Sequence, residues 1–159
     1  MRMNVNGHNY NLYAQFNKVF EPRLSKVLLV TQAGEEYSYA DVDSESARLA
    51  QFFAKSGAKP GDRISVQVNK SPEALCLYLA CLRGGFVFHP LNTGYQSGEL
   101  EYFFANAEPA VVICDSESLP IIEPLVSKLT IPNIFTLDGD GSGTLVERSR
   151  TTVDDYVTV

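Results

Sequence analysis

The sequence has no cluster of basic residues. Its 13 lysines and arginines are scattered among 19 acidic residues, for a net charge of −6. Nucleic acids and anionic membranes are bound through clustered Lys and Arg that neutralise phosphates, so neither is an expected partner. The acidic surplus reads as a solubility feature. No apolar run approaches the roughly 20 residues that span a bilayer. The N-terminal stretch MRMNVNGHNYNLYAQF has no apolar signal core and no Arg/Ser-rich transit character. The expectation is a soluble, cytoplasmic protein.

Chemistry-bearing residues are equally sparse. Three cysteines, Cys76, Cys81 and Cys114, make an odd count, and a five-residue offset between the first two is not a metal spacing. All three lie in apolar surroundings, which predicts buried, reduced thiols and a reducing compartment. The two histidines, His8 and His89, have no companion at ligand or triad spacing. Ser38, Ser71 and Ser97 sit where helix caps are expected, and none lies in a GxSxG elbow. Asp41, Asp43 and Glu45 read as a solvated helix face; Tyr10, Tyr13, Tyr78, Tyr95 and Tyr102 read as core or rim aromatics.

What is present is a globular composition, 45% apolar and 20% charged over 159 residues, enough for one domain with one packed core. Leu12, Phe16, Val19 and Phe20 predict one face of a short helix from Asn9 to Phe20, and Pro22 discourages its continuation. Val27–Thr31 and Glu36–Tyr39, joined by Gln32-Ala33-Gly34-Glu35, predict a hairpin. Ser38 with Asp41 resembles a capping box opening a helix that Ser56-Gly57 ends. Arg63–Val68 predicts a strand. Ser71-Pro72-Glu73 opens a helix, apolar nearly all round, that Gly84-Gly85 stops. Strands at Phe86–Leu91, Ala110–Cys114 and Asn133–Leu137 alternate with helices from Ser97 and over Ser118–Lys128, and a weak helical turn covers Thr144–Arg148. This alternation predicts an α/β fold, a mainly parallel sheet with helices on both faces. The tail ends inside an apparent strand, Tyr156–Val159, which leads us to expect a truncated domain.

In such sheets ligands lie beyond the carboxyl ends of the strands, and the richest loop there is Asp138-Gly139-Asp140-Gly141-Ser142-Gly143. As a calcium loop it has Ser149 where a bidentate Glu belongs. As a dinucleotide fingerprint it has Thr144 at the third glycine, and as a phosphate loop it lacks the Lys-Ser/Thr ending. It reads best as an exposed turn. Nothing in the sequence assembles a nucleophile, a base and an oxyanion site, so no catalytic, cofactor-binding or metal-binding residue is assigned.

The order of motifs carries more than any one of them. Tyr37-Ser38-Tyr39-Ala40-Asp41-Val42 is followed by Gly57-Ala58-Lys59-Pro60-Gly61-Asp62-Arg63-Ile64. Asn69-Lys70-Ser71-Pro72-Glu73-Ala74 and Ala80-Cys81-Leu82-Arg83-Gly84-Gly85 come next. Pro90-Leu91-Asn92-Thr93, Glu99–Phe103 and Val111–Asp115 complete the series. In this order they resemble the opening of AMP-forming acyl-CoA synthetases, of the adenylate-forming superfamily, over about Asn11 to Val159. Leu91-Asn92-Thr93-Gly94-Tyr95 and Ala107-Glu108-Pro109 are most similar to malonyl-CoA synthetases. Gly94, Gln96 and His89 depart from that group's usual residues.

The resemblance implies that residues 1–159 are the N-terminal portion of an adenylation domain whose phosphate loop and C-terminal domain are absent here. The parent enzyme would use ATP, Mg²⁺ and CoA to turn malonate, or a similar small acid, into its acyl-adenylate and then its acyl-CoA. None of the three is expected to bind this fragment tightly, and the fragment alone is expected to be inactive. Its implied partners are the remainder of the parent chain and, through the apolar face this would leave exposed, further copies of itself. The alternatives are an adenylating enzyme for a different acid and a non-catalytic binding or regulatory domain on the same scaffold.

Overall fold

The computed structural model describes residues 11–152. In chain order these form helix α1 (Leu12–Phe20), a 3₁₀ turn (Glu21–Arg23), strands β1 (Val27–Val30) and β2 (Glu36–Ser38), and helix α2 (Tyr39–Lys55). Then come β3 (Arg63–Gln67), α3 (Pro72–Gly84), β4 (Val87–Pro90), α4 (Ser97–Ala107), β5 (Val111–Cys114), α5 (Leu119–Lys128), β6 (Ile134–Thr136) and α6 (Thr144–Thr152). Strands β1 and β2 form the expected antiparallel hairpin, and β3 to β6 form a four-stranded parallel sheet in the order β4-β3-β5-β6. The expected Tyr156–Val159 strand, like Asn9, Tyr10 and His8, lies outside the described residues.

The strand order dictates where the helices go. From β3 the chain steps outward to β4, then returns across β3 to β5 and continues to β6. Right-handed crossovers place the helix of an outward step and those of the return steps on opposite faces. Two cores result where composition alone predicted one, because the sheet itself separates them. On one face Ile64, Val66, Val111 and Ile113 pack with Leu49 and Phe53 of α2 and Leu77 and Cys81 of α3. On the other, Val112 and Cys114 pack with Leu100 and Phe104 of α4 and Ile122 and Val126 of α5. All four residues of β5 are buried, which accounts for their unbroken apolar run.

Local chemistry sets most of the boundaries. The Ser38 hydroxyl accepts from the Asp41 N–H at 3.1 Å and the Asp41 carboxylate accepts from the Ser38 N–H at 2.8 Å, a capping box with a cap worth about 1 kcal/mol. Ser71 caps α3 through the Ala74 N–H at 3.0 Å, and Gly85 ends that helix at a φ of 71°. Helix α4 differs from expectation. Its cap is Gln96, whose N–H donates to the Glu99 carboxylate at 3.1 Å, so Ser97 is the first helical residue.

Two helices are set by tertiary contacts. Helix α1 buries Tyr13 and Phe20 and packs Phe16 on the core, while Leu12 and Val19 of the expected stripe remain 48% exposed. The cause is polar: the Tyr13 hydroxyl donates to the Asp43 carboxylate, and Arg83 Nη1 reaches that hydroxyl at 2.6 Å and Asp43 Oδ1 at 2.8 Å. The guanidinium lies 4.4 Å from the centroid of the Tyr13 ring, within cation–π range. Burial, then the bond to Asp43, pushes the Tyr13 hydroxyl up to about 12, which keeps it a donor. Helix α6 runs past the expected turn to Thr152. Arg48 of α2, 5% exposed, bonds there to the Ser149 hydroxyl and the Val146 carbonyl and pairs with Glu45.

Among the described residues no helix is long and apolar enough to cross a membrane. Gly143 adopts φ 126°, and a Cβ there would lie 2.7 Å from the Thr136 carbonyl carbon. Gly143→Ala is expected to lower the unfolding free energy by about 2 kcal/mol. Gly98→Ala, in a helix with nothing within 4 Å of the added carbon, should leave it unchanged or raise it by about 0.5 kcal/mol. Urea unfolding of both variants checks the contrast.

Candidate functional site

The reversal of direction after β4 makes the boundary between β3 and β5 a topological switch point, the place where open parallel sheets bind ligands. The last residues of these strands, Gln67 and Cys114, are register partners. Four loops surround this edge: Val68–Ser71 after β3, Leu91–Gln96 after β4, Asp115–Ser118 after β5, and Leu137–Gly143 after β6.

The last of these crosses over the edge. The Asp138 carboxylate accepts from the Ser116 N–H at 2.7 Å and its hydroxyl at 2.6 Å. Asp140 accepts from the Ser142 N–H at 2.9 Å and its hydroxyl at 2.6 Å, which hold its carboxyl below the usual range. Gly139 lies beside Asn69, and Gly141 is so close to Glu73 that a Cβ would lie 2.7 Å from its carboxyl carbon. The glycine-rich loop is therefore an exposed turn that ties β6 to the loops after β5 and β3. Among the described residues no three His, Cys, Asp or Glu side chains converge as metal ligands.

Sequence reasoning missed Gln67. This residue, 2% exposed, donates from Nε2 to the carbonyls of Asn92 at 2.8 Å and Tyr95 at 3.2 Å. The available signal was one amide at the end of a strand, between Val66 and Val68. The loop it holds is tightened further: Asn92 Oδ1 accepts from the Gly94 N–H at 2.8 Å, and the Tyr95 ring stacks on Phe103 with centroids 5.1 Å apart.

His89, the strand-end histidine, faces the same side. Its Nδ1 is 2.8 Å from the hydroxyl of the fully buried Ser65, and its ring meets Phe103 edge-on with centroids 6.3 Å apart. Among the described residues no carboxylate bonds to it, so the pair lacks the third member of a triad. The three cysteines are free and buried, and burial pushes each thiol up to about 12. They are thiols and not nucleophilic thiolates at neutral pH.

Burial, then the nearby Arg63, hold the His89 imidazole below its ordinary 6.5. The unfolded chain therefore binds a proton there more readily than the folded one. The stabilisation is complete above 6.5 and is lost as pH falls below it. The urea midpoint of the wild type should drop between pH 7 and 5 more steeply than that of His89→Leu. Parallel pH profiles would rule this out.

Residues 17–155 match the family of AMP-binding enzymes. The chain is 30% identical over 122 residues to 4-hydroxybutyrate–CoA ligase 1 of Metallosphaera sedula, covering 74% of this chain and 22% of that protein. It is 28% identical over 118 residues to the long-chain-fatty-acid–CoA ligase FadD13 of Mycobacterium tuberculosis, covering 74% and 23%. MatB from Rhodopseudomonas palustris superposes with a TM-score of 0.87 at 36% identity, over 96% of this chain and 30% of that one. A benzoate CoA ligase from Burkholderia xenovorans shares the fold at a TM-score of 0.81 and 16% identity, over 95% of this chain and 30% of its own. The chain spans less than a third of the proteins it matches. It belongs to the AMP-binding enzyme family, with the fold found in the N-terminal region of AMP-forming acyl-CoA ligases.

Proposed function

We propose that this chain is the N-terminal part of the adenylation domain of an ATP-dependent acid–CoA ligase whose acid is malonate. The observation that carries the reading is the 36% identity and 0.87 TM-score, over 96% of the chain, with the malonyl-CoA synthetase MatB. That protein has also been solved with ATP bound. The Leu91–Tyr95 and Ala107–Pro109 segments support the same acid. The curated relatives are named for 4-hydroxybutyrate and long-chain fatty acids, so the acid is the part of the reading that the assay must resolve.

In the proposed reaction a carboxylate oxygen of the acid attacks the α-phosphorus of ATP, and the bond to pyrophosphate breaks. The CoA thiol then attacks the acyl carbon, giving the thioester and releasing AMP. Charge stabilisation dominates steps of this kind. Among the described residues no three His, Cys, Asp or Glu side chains come together that could hold Mg²⁺. On this reading the metal and the catalytic groups belong to the rest of the ligase, and residues 1–159 supply scaffold and no catalytic residue. Val30, 63% exposed, and Val87, 47% exposed, belong to the surface this reading gives to the rest of the parent chain or to a second copy. Three free, buried thiols support a reducing compartment such as the cytoplasm.

Pyrophosphate release tests the proposal. The purified 159-residue chain should give none above blank with ATP and malonate. The full-length ligase should form malonyl-CoA with a higher kcat/KM than for 4-hydroxybutyrate or a long-chain fatty acid. Turnover by the chain alone would overturn the fragment reading, and a preference for another acid would overturn malonate.

A further inference from the structure

The polar face of β3 is unusual for the central strand of a parallel sheet. Ile64 and Val66 enter one apolar core, but Ser65 and Gln67 face the other side, where Val112 and Cys114 lie on the neighbouring strand. An apolar side chain at position 67 would continue that second core without burying an amide. Gln67 Oε1, buried, has no hydrogen-bond partner among the described residues, and buried polar groups of this kind call for a reason beyond packing. The reason lies at the other end of the amide, where both Nε2 bonds go to carbonyls of the loop after β4. Asn92 O also accepts from the Tyr95 N–H at 3.0 Å. With Tyr95 stacked on Phe103 the loop is held from its core side at both ends, Asn92 and Tyr95, and the Asn92 side chain ties Gly94 within it. Its outer surface, Asn92, Thr93 and Gly94, is exposed and uncharged.

We infer that Gln67 is a positioning residue: it fixes the Asn92–Tyr95 loop at the carboxyl edge so that Asn92 and Thr93 contact a neutral, hydrogen-bonding part of a substrate. The inference rests on the ligase reading above. Loops at this edge of a parallel sheet are where ligands sit, and a contact surface is effective when its geometry is locked from behind. The absence of charge on the exposed residues sets the chemistry. They suit amide and hydroxyl groups, and they lack the cationic side chain that gives phosphate and carboxylate groups a charge-assisted pair.

The test is steady-state kinetics of the full-length ligase with ATP, acid and CoA each varied in turn, comparing wild type, Gln67→Met, Gln67→Glu and the exposed Thr93→Ala. Thr93→Ala and Gln67→Met should each raise KM about tenfold for the same single substrate, with kcat and the other two KM values near wild type. Gln67→Glu should be worse at neutral pH, because its carboxylate repels the two carbonyls. Its deficit relative to wild type should shrink as pH falls, since a protonated carboxyl can donate to one of them. The substrate whose KM responds identifies which molecule carries the neutral group. The inference is overturned if all three KM values stay within about twofold of wild type, less than half a decade of affinity, in Thr93→Ala and in a folded Gln67 variant. A uniform loss of all constants in step with a lowered Tm also overturns it, and Thr93→Ala keeps the test open should a core variant not fold. A wild-type ligase that adenylates no acid would sink the ligase reading itself, and the inference with it. An active wild type with unresponsive variants would sink the inference alone.

Discussion

A parallel strand in this protein must be covered on both faces, and the structure follows from how the chain meets that requirement. Hydrogen bonding across β3 to β6 satisfies the backbone in the plane of the sheet and leaves two apolar surfaces that cannot both face water. One outward step and two return steps deliver helices to opposite sides, and the same reversal creates the switch point between Gln67 and Cys114. Fold and candidate site are thus two results of one topological choice.

Covering both faces also explains the distribution of polarity. Helices α2 and α3 meet the sheet through apolar side chains, and they hold α6 and α1 partly through buried guanidinium groups, Arg48 on α2 and Arg83 on α3. Arg83 and Arg48 are 8% and 5% exposed, and each is compensated by a carboxylate and by hydroxyl or carbonyl oxygens. Removing one partner from such an arrangement leaves an uncompensated charge. These groups therefore select one arrangement of α1 and α6 against α2, where an apolar seam would tolerate sliding.

Sequence was a good guide wherever the determining interaction is local. Ser38 with Asp41, Ser71 with Pro72, and Gly85 mark helix ends because their partners lie within four residues. The apolar run at β5 announced a doubly covered strand for a similar reason. On α1, spacing finds Phe16 and Phe20 but favours Leu12 and Val19 over Tyr13, because Tyr13 answers to Asp43 and Arg83, 30 and 70 residues away. Helix α6 looked weak because its support comes from Arg48. At the site, the glycine-rich loop was legible as a turn, but its bridging role depends on Ser116, Asn69 and Glu73, which only folding brings near. Gln67 was invisible for the same reason: an amide in a strand acquires meaning from the loop across the sheet edge.

The Arg48–Ser149 contact joins residues 101 positions apart, and that separation has a consequence for synthesis. At about 5–20 residues per second, Ser149 leaves the ribosome about 5–20 seconds after Arg48. During that interval the guanidinium has only Glu45, three residues before it, and water. The hairpin, α2, α3 and the first parallel pairing can assemble in this time, but the pocket that receives α6 stays open and hydrated. Closure of α6 over Arg48 is then the last step in assembling the described residues, so nascent chains stalled before Ser149 would keep a charged, half-built surface available to chaperones.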